Sequence, residues 1–153
     1  MRCSWIRKAS AVVLATTLVL GVYPVRAQVT GAQVWALVEA LRLAAPRTGI
    51  EDDGLYGEWQ VKPENIARWS RRCLGRELTP AEFEASPAKA REVVACAMSG
   101  VLSDQYRASQ HDESVAVRRA ASWWMTGDPE QFDQGSTAAY TQKVLNFYRQ
   151  QLP

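Results

Sequence analysis

The sequence predicts a single, mainly α domain, and three observations carry that expectation. Apolar residues recur at steps of three and four from Val34 onward, the spacing of one helix face. Glycine and proline fall between the periodic stretches, where helices stop and start. No alternating run longer than a few residues reads as a strand, and no internal repeat or low-complexity tract interrupts the chain.

The first 27 residues read as an export signal rather than as part of that domain. Arg2, Arg7 and Lys8 make a basic start, Ala9 to Val25 is uncharged, and Val25-Arg26-Ala27 offers small residues for cleavage after Ala27. The uncharged run is shorter than the roughly 20 residues a spanning helix needs, and Arg26 closes it, so the membrane is met only in transit. Cys3 precedes the apolar run and is wrongly placed for lipid attachment after cleavage. Residues 28–153 then form the mature domain, exported to the periplasm or secreted. Cleavage removes four basic residues and no acidic one, leaving 14 basic against 16 acidic, a formal charge of −2 in place of +2. An acidic chain without a basic stripe gives no footing for nucleic acid.

The first helix is expected over Gln33 to Ala45, with Val34, Leu37, Val38, Leu41 and Ala45 on one face and Pro46 as its stop. Residues 46–54 are a polar turn holding Glu51, Asp52 and Asp53, without the alternating acidic spacing of a calcium loop. A loop follows through Tyr56, Trp59 and Gln60. Pro63 opens a second helix to about Leu74, with Ile66 and Trp69 inward and Gly75 as its end. Thr79-Pro80-Ala81-Glu82 has the form of a capping box. Ser86-Pro87 begins a helix with Val93, Val94, Ala97 and Val101 inward, and polar residues 103–112 are expected to close it into a loop. Ser114 to Met125 is helical, with Val117, Ala120, Ala121 and Trp124 inward, until Gly127-Asp128-Pro129. Gly135-Ser136 leads into a last helix from Thr137 to about Gln150. Trp35, Trp69 and Trp123, on helices with small neighbours, are expected in the core.

Two cysteines remain after cleavage, Cys73 and Cys96. They either pair, which an oxidising compartment favours and which contributes about 3 to 4 kcal/mol by loop entropy, or stay as buried thiols. One histidine, His111, and two distant cysteines give no His-based metal centre; neither metal nor cofactor is expected. A loop that brings Tyr56, Trp59 and Gln60 to a helix start suits a sugar, whose apolar face lies on an aromatic ring while an amide bonds its hydroxyls. Core packing is the competing reading for those aromatics.

Three pieces, in order, resemble the lysozyme-like domain of lytic transglycosylases, especially its short phage-type and secreted forms. Tyr56-Gly57-Glu58-Trp59-Gln60-Val61 is similar to the family's Gly-x-x-Gln turn and continues through Asn65-Ile66, Trp69, Leu74-Gly75, Leu78-Thr79-Pro80 and Glu82-Phe83. Ala121-Ser122-Trp123-Trp124-Met125-Thr126-Gly127 is similar to its second signature, and Tyr140-Thr141-Gln142-Lys143-Val144-Leu145 to its C-terminal, tyrosine-led helix. The resemblance covers most of residues 33–148. It implies a lysozyme-like helical fold acting on the glycan strands of peptidoglycan in the cell wall, with no cofactor. Gln60 and Tyr56, with Trp59 of the same turn, would lie on the glycan groove, Trp124 and Thr126 on the second wall, and Tyr140 beside the catalytic carboxyl.

That carboxyl is where the sequence departs from the family. A single glutamic acid there protonates the glycosidic oxygen and then, as carboxylate, drives closure of an anhydro ring; it must stay protonated near neutral pH. The family's Glu-Ser at the end of the first helix is absent. Glu39 stands 21 residues before Gln60 but in mid-helix beside Arg42, which favours its charged form. Aligned by the helix end, Leu43-Ala44-Ala45-Pro46 takes the acid's place and no carboxyl remains. Glu51 in the turn is the fallback, and Glu58 otherwise reads as solvent-facing. Two functions follow from the resemblance: a peptidoglycan lytic transglycosylase, serving an envelope assembly, or a non-catalytic member of the same fold that binds glycan or an envelope protein.

Overall fold

The computed structural model describes residues 28–47, 49, 50 and 53–153. The expected export signal with its cleavage site, and Glu51 and Asp52, lie outside them. The described chain is mainly helical: α1 (Gly31–Ala44), α2 (Pro63–Leu74), α3 (Pro80–Ala85), α4 (Pro87–Ala108), α5 (Glu113–Thr126), a short 3-10 turn at Pro129–Gln131, and α6 (Gly135–Gln151). Among these residues no helix is long and apolar enough to cross a membrane.

Local chemistry sets the boundaries. Thr30 and Gln33 form a capping box at α1, and Thr79 and Glu82 form one at α3, each pairing a side chain with an otherwise unbonded amide. Pro63, Pro80 and Pro87 sit at the first helical position, where the missing N–H costs nothing. Gly75 and Gly127 close α2 and α5 in the left-handed conformation, at φ 73° and 82°.

The longest helix, α4, packs against α1, α2, α3 and α5, while α6 packs on α1 and α5. Leu37, Leu41, Ile66, Phe83, Val93, Met98, Val117 and Val144 are among the fully buried residues of one continuous core. Tyr148 joins it and donates its hydroxyl to Glu113 across α6 and α5. Cys73 and Cys96 are disulfide-bonded, tying α2 to α4.

Two expectations need correction. The third long helix does not close at 103 but runs to Ala108, because its polar last turns find local partners: Ser103 donates to the Ser99 carbonyl at 2.8 Å, Arg107 pairs with Asp104, and Tyr106 packs against the core. Trp35 is not a core residue. It is 49% exposed, since α1 buries the face of Val34, Leu37, Val38 and Leu41 and leaves Trp35 on its flank.

The turn between α1 and α2 is tightly bonded. Tyr56 and Val61 exchange both backbone hydrogen bonds at 2.9 Å, enclosing Gly57 to Gln60. Gly57 has φ 67°, and a Cβ there would lie 3.0 Å from the Phe83 ring, so both the backbone and the space require glycine. Gln60 also takes a positive φ, 55°, held by its backbone and side-chain amides, which both donate to the Gly57 carbonyl. The Trp59 indole donates to the Val38 carbonyl at 2.8 Å, which fastens the turn to the middle of α1.

Candidate functional site

The start of α2 and the end of α5 part on the surface and leave a cleft of about 530 Å³, within the size range of small-molecule sites. Its two sides come from segments more than fifty residues apart, 55–69 and 123–127, with Pro46 also on its lining. Four of the chain's six tryptophans line it: Trp59, Trp69, Trp123 and Trp124. Trp59 and Trp69 are buried and form its back, while Trp123 and Trp124 are half-buried and offer ring surface. The Trp69 ring stacks 6.3 Å from Trp123 and lies 5.4 Å from Trp124, so the aromatics support one another as a rigid wall.

Polar groups edge this wall. Gln60 donates its amide nitrogen to Gly57, which leaves the amide oxygen to accept from a hydroxyl. Lys62, Glu64, Asn65 and Arg68 follow along α2, and Arg68 donates to the Asn65 side-chain oxygen at 2.8 Å. Thr126 sits at the opposite lip, but its hydroxyl is engaged in closing α5: it accepts from the Asp128 amide at 3.0 Å and lies 2.9 Å from the Ser122 carbonyl.

The expected site residues are thus partly assembled. Trp59, Gln60, Trp124 and Thr126 line the one cleft, although Trp59 is 1% exposed and its indole N–H is already bonded within the chain. Tyr56 lines a neighbouring hollow with Arg47, Asp53 and Glu84, sharing only Leu55 and Gln60 with the tryptophan cleft. Tyr140 is packed against the core; its hydroxyl is buried without a hydrogen-bond partner, and burial raises its pKa. No hydrogen bond links it to Glu39.

Glu39 lies elsewhere. It lines a separate hollow with Trp35, Ala36, Arg91 and Gln151, which shares no residue with the cleft. Arg42 grips its carboxylate from Nε at 3.0 Å and from a terminal nitrogen at 2.5 Å, and Arg91 of α4 adds a third contact at 3.3 Å. The Arg42 hydrogen bonds, reinforced by both guanidinium charges, lower the Glu39 pKa below its ordinary value despite partial burial. Glu58 faces solvent and meets Arg42 at 3.8 Å.

Among the described residues, Glu64 is the one carboxylate on the cleft, exposed in the first turn of α2. The end of α1 presents Pro46 to the cleft, with Ala44 and Ala45 before it. No group of three or more His, Cys, Asp or Glu arranged for a metal occurs among the described residues. His111 stands edge-on to the Tyr106 ring.

Sequence reasoning assigned Trp69 and Trp123 to the core alone and passed over Lys62, Glu64, Asn65 and Arg68. A signal was present: Lys62, Asn65 and Arg68 recur at steps of three from the helix start, placing them on the side that Gln60 leads into. Comparison with protein-family models, characterised proteins and solved structures returns no match.

Proposed function

We propose that this protein binds the glycan strands of peptidoglycan in the tryptophan cleft as a non-catalytic module of lysozyme-like ancestry. The observation that carries the reading is the convergence of two distant segments on one groove, where half-buried indoles stand beside amide and cationic side chains. Rings of this kind cover the apolar face of a pyranose, and Gln60 and Asn65 supply directional bonds to its hydroxyls. Chemistry disfavours catalysis: Glu39 is held ionised by two arginines away from the cleft, and alanine and proline occupy the end of α1. The Cys73–Cys96 bond fits an oxidising compartment, in keeping with export to the periplasm or beyond.

The test is co-sedimentation of the protein with purified peptidoglycan, followed by mass spectrometry of the soluble sugars. Binding without release of sugars is expected, and Trp124→Ala should weaken it roughly tenfold, the upper range for loss of an aromatic contact. Anhydromuramyl products that vanish in Glu39→Gln or Glu51→Gln would instead make the protein a lytic transglycosylase and name its acid. Reducing-end products lost in the same way would make it a hydrolase. A protein that neither sediments with the wall nor cuts it would end the glycan reading.

A further inference from the structure

We propose that the outward stripe of α1 is the interface of a two-fold symmetric dimer, with Trp35 of one copy packed against Leu43 of the other. This surface lies apart from the tryptophan cleft and stands whether or not the cleft binds glycan.

A helix packed on one side turns charged or polar residues to water. The first helix does the reverse. From Ala32 to Ala44 its exposed positions are Ala32, Trp35 and Leu43, all apolar, while its charged residues, Glu39 and Arg42, are half-buried and bonded to each other. Among the described residues four large apolar side chains are exposed, and two of them, Trp35 at 49% and Leu43 at 38%, fall on this stripe. The others, Ile50 and Met125, lie in the turn after α1 and on the cleft. Tryptophan is enriched among the residues that dominate protein interfaces, and charge is depleted at their centres.

Three features select a second copy as the occupant. The stripe is self-complementary about Glu39: Trp35 stands four residues before it and Leu43 four after, about 6 Å each way along the axis. Laid antiparallel on itself across a two-fold axis at Glu39, α1 brings Trp35 onto Leu43 at both ends, as an isologous interface requires. The stripe also carries both a knob and its recess. Leu43 stands out at one end, and a hollow of about 460 Å³ opens beside Trp35 at the other, between α1, Arg91 and Gln151. Finally, the charges beside it balance, Glu39 and Glu58 against Arg42 and Arg91, each paired within the chain. A second copy therefore meets no net repulsion and strands no unpaired charge on burial.

The experiment is sedimentation equilibrium of the protein over a range of concentrations. A monomer–dimer equilibrium is expected, with a dissociation constant on the order of 10 µM for an interface at the small end of the usual range. Trp35→Glu and Leu43→Glu should each weaken it more than about thirtyfold, since each removes an anchor from both copies at once. Circular dichroism should stay unchanged in both, because the two side chains stand outside the core. Cysteine cross-linking, with the unaltered protein as control, checks the geometry. Glu39→Cys sits at the axis and should form a covalent dimer on mild oxidation, while Leu43→Cys, about 12 Å from its copy along the helices, should not. A protein that stays monomeric at every concentration overturns the proposal, whether the stripe is then found to hold a different protein or a lipid vesicle. A dimer untouched by both glutamate substitutions overturns it as well, and so does cross-linking of Leu43→Cys in place of Glu39→Cys.

Discussion

Two charged regions of this protein follow opposite plans. Around Glu39, the carboxylate is met by Arg42 and Arg91, and Arg42 reaches on to Glu58, so each charge is answered within the chain. Along the cleft, Lys62, Glu64 and Arg68 have no ion partner and stand beside an aromatic wall. An incoming ligand gains little by displacing a satisfied ion pair, and more by meeting charges that have no counter-charge in the chain. The contrast separates a carboxylate bound up in the fold from the surface proposed for recognition, even though the sequence offers Glu39 as the better-placed functional acid.

The strongest way to break this contrast is Trp69→Ala. Trp69 is 7% exposed and supports both Trp123 and Trp124, so its loss should cost about 3–5 kcal/mol in urea unfolding and abolish the glycan binding proposed for the cleft. A cost below about 1 kcal/mol would mean that the cleft is a loose surface feature rather than one built on the core. Next comes the staple behind it. Cys73→Ser with Cys96→Ser should lower stability by about 3 kcal/mol for a separation of 23 residues, and reduction of the unaltered protein should reproduce the loss.

Glu39→Gln addresses the other region, with an expected cost of about 1 kcal/mol at pH 7. The arginines hold the folded-state pKa of Glu39 below its ordinary 4.5. Its stabilising contribution is therefore complete above that ordinary value and is lost as the pH falls through the lowered one. The difference between the two proteins should shrink as the pH falls below that ordinary value and vanish once it is below the lowered one. A difference that widened in acid would point to a stabilised protonated form, the one a general acid needs. The smallest effect belongs to Lys62→Gln. With no partner to lose, it should change the melting free energy by no more than about 0.5 kcal/mol, which is what distinguishes its place in the cleft from that of Arg42 on α1.

Most helix boundaries were legible because they rest on local chemistry. The capping box of Thr79, the prolines opening α2, α3 and α4, and the glycines ending α2 and α5 act within a few residues, whereas the Thr30 box, which starts α1 at Gly31 rather than at Gln33, was passed over. The end of α4 was less so, since the polarity of residues 103–108 conceals a Tyr106 that packs inward and side chains that bond one turn away. The site was legible in part. Gln60, Trp124 and Thr126 could be singled out from their signatures, but Trp69 and Trp123 could not be seen to serve core and cleft together, because helical periodicity identifies a face and not the place where two helices diverge. Trp35 failed for a related reason: small neighbours on a helix do not reveal whether another helix covers them.

The contact between Gly57 and the ring of Phe83 joins a turn to a six-residue helix too short to persist alone. It also limits how this fold can vary over evolution. A relative that gains a side chain at position 57 has to shrink the one at 83 and still meet the positive φ, so the two positions should change as a pair, and Phe83→Ala should soften the clash of Gly57→Ala without relieving its backbone strain.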